Sequence, residues 1–323
     1  MTRTLVTGGA GYVGSVLVDE LLNSGRSVRV LDALVHGSVP SLLVSWDKPQ
    51  FEFVKADVRD VDAVRQALQD VDEVVHLAAV VGDPACAREP ELAEDVNVLA
   101  TKALLDEVER AGVSRFLFAS TCSNYGKMSD PDVLATEEWD LRPVSLYAET
   151  KVRAERAVLE RSGPKLATMC LRFATVYGTS SRMRFDLTVN EFTRDVVLTG
   201  DLVVYGEQFW RPYIHARDAA RAVRTALDAP IEKVKGNVFN AGNTNENYRK
   251  LDIVELLQKR VPTADVQFVK KDEDPRDYRV SFEKIERELG YRTTATVPAG
   301  IDEVSSLLRS GLLDDPFGSI YRN

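Results

Sequence analysis

Along the first half of the chain, short apolar runs alternate with longer stretches whose apolar positions recur at helical spacing. The runs predict strands at Thr4–Thr7, Ser27–Leu31, Phe51–Lys55, Glu73–Leu77 and Arg115–Ser120, with Leu166–Arg172 following later. The longer stretches predict amphipathic helices such as Val13–Asn23, Val61–Leu68 and Leu92–Ala111. Strands separated by helices imply right-handed βαβ units and a parallel sheet with helices on both faces.

After about Val176 the pattern changes to mixed short segments, many of them loop-like and rich in arginine. The helix-like Arg217–Leu227 and the strand-like Asn237–Asn240 are placed to rejoin the sheet. No internal repeat, low-complexity tract or linker-like run interrupts the chain. Its 323 residues are about two domains' worth on a prior of roughly 150 residues each. A 44% hydrophobic and 28% charged composition excludes disorder, collagen-like repeats and a disulfide-built miniature. With 41 basic and 50 acidic residues the net charge is −9, which argues against binding along nucleic acid or an anionic membrane. Cys86, Cys122 and Cys170 have neither metal-ligand nor disulfide spacing. The N-terminus MTRTLVTGG lacks a signal-peptide core, and no apolar run approaches the roughly 20 residues of a membrane span. A cytoplasmic protein is the expectation.

Chemistry enters at the end of the first strand. Gly8-Gly9-Ala10-Gly11-Tyr12-Val13-Gly14 satisfies G-x-G-x-x-G and leads into a helical pattern. Glycines there allow a tight turn and close approach of a pyrophosphate, which the helix N-terminus meets with N–H groups and a partial positive charge. Asp32 ends the next strand at the spacing of a carboxylate that bonds a ribose 2′-OH. Ala33 and Leu34 follow it, so no adjacent base waits for a 2′-phosphate, which favours NAD over NADP. Tyr147 and Lys151 stand four residues apart on one helical face, where an ammonium can lower a phenol's pKa towards proton abstraction from an alcohol.

Together these motifs resemble the extended short-chain dehydrogenase/reductase family, in particular its NAD-dependent nucleotide-sugar epimerases and dehydratases. The resemblance runs nearly end to end. Thr7–Gly14 is similar to the family's TGGAGxxG loop, and His76-Leu77-Ala78-Ala79 to its HLAA segment. Ser120-Thr121-Cys122-Ser123-Asn124-Tyr125-Gly126 is similar to its active-site strand end, and Arg211–Asp218 to its R-x-[YF]-[IV]-H-V-x-D segment. The implied fold is α/β, a Rossmann-type doubly wound parallel sheet with a smaller mixed α/β substrate lobe. The NAD domain is expected over 1–175 plus about 213–241, and the lobe over about 176–212 plus 242–323.

By the resemblance, Tyr147 is the acid/base, Lys151 tunes it and holds the nicotinamide ribose, and Thr121 bonds the reacting sugar hydroxyl. Gly8, Gly11, Tyr12, Val13, Gly14, Asp32, Asp57, Val58, Leu77, Ala78, Ala79 and Asn97 join that pair around the cofactor. Ser123, Thr175, Arg184, Asn190, Arg211 and Arg276 are the implied substrate contacts. The arginines matter because a net-acidic chain needs placed forks to hold a diphosphate. Arg182 accompanies Arg184 at the start of the second lobe. The family's dimer interface of paired helices implies a homodimer through Leu92–Ala111 and Tyr147–Arg161.

The shared first step of the family is oxidation of a sugar hydroxyl, after which the keto-sugar is re-reduced, loses water or CO2, or exchanges a proton. Dehydratases of the family carry Asp-Glu directly after the threonine, and decarboxylases tend to keep a glutamate at the second of those positions. This chain has Cys122-Ser123 there. A 4-epimerase needs no third acid or base, so 4-epimerisation leads. Elimination or 5-epimerisation using Cys122 as an acid/base stays open, and so does a binding protein that senses NAD without turnover. Thr175 replaces the family's usual Asn and Gly178-Thr179 its usual Gly-Pro, which puts the identity of the substrate in doubt. Cys170 reads as core, and Cys86 lies in a loop after the HLAA strand.

Overall fold

The computed structural model describes residues 2–128, 130, 133–270 and 276–323. Asp274 and Pro275, which precede Arg276, lie outside them. Twelve strands are described: β1 (Arg3–Thr7), β2 (Ser27–Asp32), β3 (Phe51–Lys55), β4 (Glu73–His76), β5 (Arg115–Thr121), β6 (Ala167–Phe173), β7 (Thr175–Tyr177), β8 (Asp201–Tyr205), β9 (Trp210–His215), β10 (Asn237–Ala241), β11 (Asn247–Arg249) and β12 (Asp265–Val269). The first six begin and end within one residue of expectation.

Seven strands form one sheet in the order β3-β2-β1-β4-β5-β6-β10, with every pairing parallel. The order reverses between β1 and β4, and the crevice at their carboxyl ends is where such sheets bind ligands. Two helical layers cover it. On one face α1 (Tyr12–Asn23) and the later helix Ala216–Asp228 bury Leu17, Leu21, Ala219 and Val223 against Val6, Val30, Leu117 and Met169. On the other, α2 (Val61–Ala67), α3 (Ala100–Ala111) and α4 (Leu146–Glu160) bury Val64, Leu104, Val108 and Val158 against Leu5, Leu31, Phe116 and Cys170. Neighbouring residues of each strand face opposite layers, so both need apolar side chains. Cys170 is core, as its strand pattern implies.

Among the further helices are α5 (Thr188–Leu198), α6 (Ala216–Asp228), α7 (Lys250–Gln258) and α8 (Val297–Arg309). Helices α5, α7 and α8 pack Val189, Ile253, Leu257 and Ile301 around Val204 and Tyr213 of β8 and β9. There β7 and β11 flank β9, and β8 pairs with β12. The boundaries expected at 175/176 and 212/213 fall inside β7 and β9.

The expected helix over Leu92–Ala111 is interrupted. Pro90–Glu94 is α-helical, Asp95–Leu99 is π-helical, and α3 resumes at Ala100. The wide turn carries Asn97, whose amide brackets the Val80 backbone, accepting from Val80 N at 2.8 Å and donating to Val80 O at 3.0 Å. Single π turns are frequent at functional sites. Among the described residues no helix is long and apolar enough to cross a membrane.

Candidate active site

The glycine loop between β1 and α1 is shaped for close approach. Gly8 has φ +73°, and a Cβ there would lie 2.7 Å from Ala78 N. A Cβ on Gly14 would lie 2.2 Å from Gly8 O, so neither position admits alanine without moving backbone. Gly11 is the N-cap of α1 and has no side chain to bond the first-turn N–H groups, which leaves that turn free to meet an anion.

At the end of β2, Asp32 accepts from Ala10 N at 3.0 Å and Leu34 N at 2.8 Å. A carboxylate has about four lone-pair sites, so capacity remains for ribose hydroxyls. Burial raises its pKa, while those two N–H groups oppose the shift. Asp57 is gripped by Arg59 Nε at 3.0 Å and Nη2 at 2.7 Å, which holds it below the usual carboxylate range. These residues, with half-buried Leu77, Ala78 and Ala79 beyond β4, make a cradle that fits a dinucleotide.

Three of the residues expected around the cofactor have their side chains committed within the protein. The side chain of Val58 is buried in the core beneath α2, leaving only its backbone for a ligand. Tyr12 is also buried, and its hydroxyl donates to Gly178 O at 2.7 Å. Its contribution to the helix N-terminus is through the backbone. Asn97 is buried with its amide committed to Val80 and to Thr150 Oγ1, 3.1 Å away. It is a positioning residue, tying the segment after β4 to α4. Beside it, His76 bridges Thr7 at 2.7 Å and Thr101 at 2.9 Å, and burial pushes its pKa down to about 3.

The catalytic candidates gather where β5 ends and α4 begins. Thr121 closes β5, and its Oγ1 accepts from Ser123 N at 3.1 Å. Ser123 Oγ lies 3.2 Å from Tyr278 OH, and the Arg211 guanidinium lies 5.4 Å from the centre of the Tyr278 ring. Ser145 caps α4 by accepting from Ala148 N at 3.3 Å, and donates to Asp83 Oδ1 at 2.7 Å. Asp83 in turn pairs with Arg276 Nη1 at 2.8 Å. The charges felt by the Tyr147 phenol are those of Cys86, Arg184, Asp83 and Tyr278, and Arg184 is one of the candidate substrate residues. Sequence reasoning missed Tyr278 and Asp83. Their one signal is proximity in sequence to Arg276 and to the HLAA segment.

The electrostatics correct one expectation. Burial raises the Tyr147 pKa instead of lowering it, with Cys86 adding to the rise and Arg184 opposing it. Lys151 is buried 4.0 Å from the Phe118 ring centre, and desolvation pushes it down to about 7. The phenol therefore rests protonated, and the amine one turn further along α4 is readily deprotonated.

Two further site expectations fail. Cys122 is fully buried in the core on the α1 side, its Sγ donates to Arg172 O at 3.2 Å, and burial raises its pKa well above the thiol value. A thiol so placed is not an acid/base. Cys122→Ala is expected to cost about 1 kcal/mol in denaturant stability and to leave turnover unchanged; loss of turnover in a folded variant would return Cys122 to the chemistry. Asn190 is also fully buried. Its Oδ1 accepts from Gly178 N at 2.9 Å, and its Nδ2 donates to Arg184 O at 2.9 Å and Tyr12 OH at 3.0 Å. It shapes the loop, and its complete burial keeps it out of a substrate's reach. Cys86 is likewise buried, with Sγ donating to Val80 O at 3.3 Å and a pKa raised to about 11.

Thr175 is half-buried at the start of β7. Arg184 is buried and forked onto Asp186 at 2.9 and 2.7 Å. Arg211 is buried and donates to Trp210 O at 2.6 Å.

Comparison with known proteins agrees with this geometry. Residues 4–242 match the NAD dependent epimerase/dehydratase family. The chain is 30% identical over 310 residues to UDP-glucose 4-epimerase from Corynebacterium glutamicum, covering 90% of each. It is 27% identical over 323 residues to UDP-glucuronic acid decarboxylase 1 from Arabidopsis thaliana, covering 98% of this chain and 72% of that one. Among solved structures, UDP-glucuronic acid 4-epimerase from Bacillus cereus, in complex with UDP-glucuronic acid and NAD, aligns with a TM-score of 0.86 at 26% identity. That alignment covers 96% of this chain and 99% of the other. The chain belongs to the NAD dependent epimerase/dehydratase family, whose cofactor its glycine cradle and Asp32 fit.

Proposed function

We propose that this chain is a nucleotide-sugar 4-epimerase. The observation that carries the reading is the end of β5, where Thr121 is followed by a cysteine turned into the core and by a serine bonded to Tyr278. Neither residue supplies the carboxylate that elimination requires. Asp83, the carboxylate that acts on Tyr147, is engaged by Ser145 and Arg276. The 4-epimerases among the relatives and solved structures support the same reading.

In this reading bound NAD supplies the hydride acceptor and donor. Thr121 holds the C4 hydroxyl, and Tyr147 takes its proton as the carbon is oxidised. The tyrosinate that takes this proton forms once the resting phenol has given up its own, and Lys151 as an ammonium stabilises it. After the 4-keto sugar turns over in the pocket, Tyr147 returns the proton to the new alkoxide. Arg211 and Arg276 hold the diphosphate, Arg184 lines the pocket near Tyr147, and Ser123 and Thr175 contact the sugar. The reading is tested by incubating the protein with NAD and a panel of UDP- and dTDP-hexoses and hexuronates, followed by proton NMR. Inversion at C4 of at least one sugar is expected; a deoxy-keto sugar or a pentose product contradicts it.

A further inference from the structure

The first turn of α1 is overlaid by a segment from the other half of the chain. Ser180 Oγ donates to Tyr12 O at 2.7 Å and lies 2.9 Å from Ser15 Oγ. Arg182 N donates to that same Ser180 Oγ at 3.3 Å. Residues 178–182 thus lie along the helix start to which the glycine loop leads, and Asp32 at the end of β2 is among the charges that act on Arg182.

Arg182 is only 6% exposed. Its Nη2 donates to Arg322 O at 3.0 Å, while its buried Nε has no hydrogen-bond partner. Among the described residues no carboxylate pairs with it within 4.0 Å. The charges that act on it are Arg184, which repels it, and Asp186 and Asp32, which attract it; burial and Arg184 bring its pKa down to about 10. Asp186 is already forked by Arg184, and Asp32 faces Ala10 N and Leu34 N. A buried guanidinium without an anion is costly. No described residue pairs an anion with it, and a ligand's phosphate can.

We propose that Arg182 binds the diphosphate of the dinucleotide from its adenosine side, between Asp32 and the N-terminus of α1. The C-terminal residues hold the arginine in place. Phe185 N donates to Tyr321 O at 2.9 Å, their rings meet edge to face, and Asn323 N donates to Asp186 Oδ2 at 3.2 Å. This assigns Arg182 to the cofactor and leaves Arg211 and Arg276 to the nucleotide-sugar. It rests on the dinucleotide site alone and stands whichever sugar reaction the protein catalyses.

The test is calorimetric titration of the full chain, freed of bound nucleotide, with NAD, ADP-ribose and UDP. Arg182→Met is expected to weaken NAD and ADP-ribose about tenfold or more and to leave UDP unchanged. Unchanged ADP-ribose affinity overturns the proposal, and so does a selective loss of UDP affinity, which would place the arginine on the sugar-nucleotide. If Arg182→Met fails to fold, Arg182→Lys decides. It keeps the charge and loses the fork, so weaker ADP-ribose binding with normal UDP binding is expected, and unchanged ADP-ribose binding overturns the assignment. A wild-type chain that binds neither NAD nor ADP-ribose would contradict the dinucleotide site itself.

Discussion

Tyr147→Phe lowers turnover by roughly a hundredfold to ten-thousandfold, the range general acid–base groups contribute. The substitution removes one oxygen from a half-buried ring at the start of α4 and keeps the rest of the packing. Melting temperature, NAD affinity and UDP affinity are therefore expected to stay near wild type. Stopped-time NMR assays separate the two consequences: a variant that binds normally and does not turn over places Tyr147 in the chemistry. A variant with full turnover would remove the proton carrier from the account and favour a different residue. A protein that binds NAD and sugar nucleotides tightly but turns over none of them, even as wild type, would instead be a sensor.

The largest stability effect is expected at Glu155→Ala. Glu155 and Arg172 form an ion pair with side chains only 2% and 5% exposed, at 2.5 Å between Oε1 and Nη2. Ser120 Oγ donates to Glu155 Oε2 at 2.5 Å, and Arg172 Nη1 donates to Tyr125 OH at 2.9 Å. Tyr125 OH continues the network to Asn240 Oδ1 at 2.7 Å. The network fastens α4, which carries Tyr147 and Lys151, to the ends of β5, β6 and β10.

Removing the carboxylate leaves Arg172 buried without its counter-charge, at a cost of about 3–5 kcal/mol in chemical denaturation. Replacing both partners with apolar residues of similar volume, as in Glu155→Leu with Arg172→Met, is expected to recover most of that loss. A Glu155→Ala protein as stable as wild type would mean that water reaches Arg172. Glu155 also raises the pKa of Lys151, so the same variant is expected to drive the lysine's titration further down.

The sheet was legible because both faces are covered. Strands such as β5 need apolar residues at successive positions, Phe116 and Phe118 towards α3 and α4 and Leu117 towards α1 and α6, and that continuity marks them in the sequence. The cofactor loop was legible for a steric reason, since Gly8 and Gly14 sit where any side chain would strike backbone. The site around it was less so. Side-chain direction after Thr121 does not follow from strand alternation, because the chain leaves β5 for a 3-10 turn over Cys122–Tyr125. Cys122 therefore faces the core while neighbouring Ser123 reaches Tyr278.

Long-range contacts were hidden as well. Asn190 and Asn97 are polar residues used to pin loops, and nothing in their local sequence separates that from ligand binding. Arg182 and Asp32, 150 residues apart in the chain, act on one another electrostatically, a relation that only the fold provides. The mixed segments after Val176 gave few periodic cues because their strands are short, β7 and β11 spanning three residues each.

The central claim, that the reaction moves a hydride at C4 and touches no other carbon, is tested most directly by turnover in D2O. The protein is incubated with NAD and a nucleotide-sugar it accepts, and product is read by proton and carbon NMR. The account predicts C4 inversion with the sugar's own hydrogen returned to C4 and no deuterium on any carbon. Deuterium at C5 or C6, or an alkene signal, would contradict it and require an acid/base that this reading does not contain.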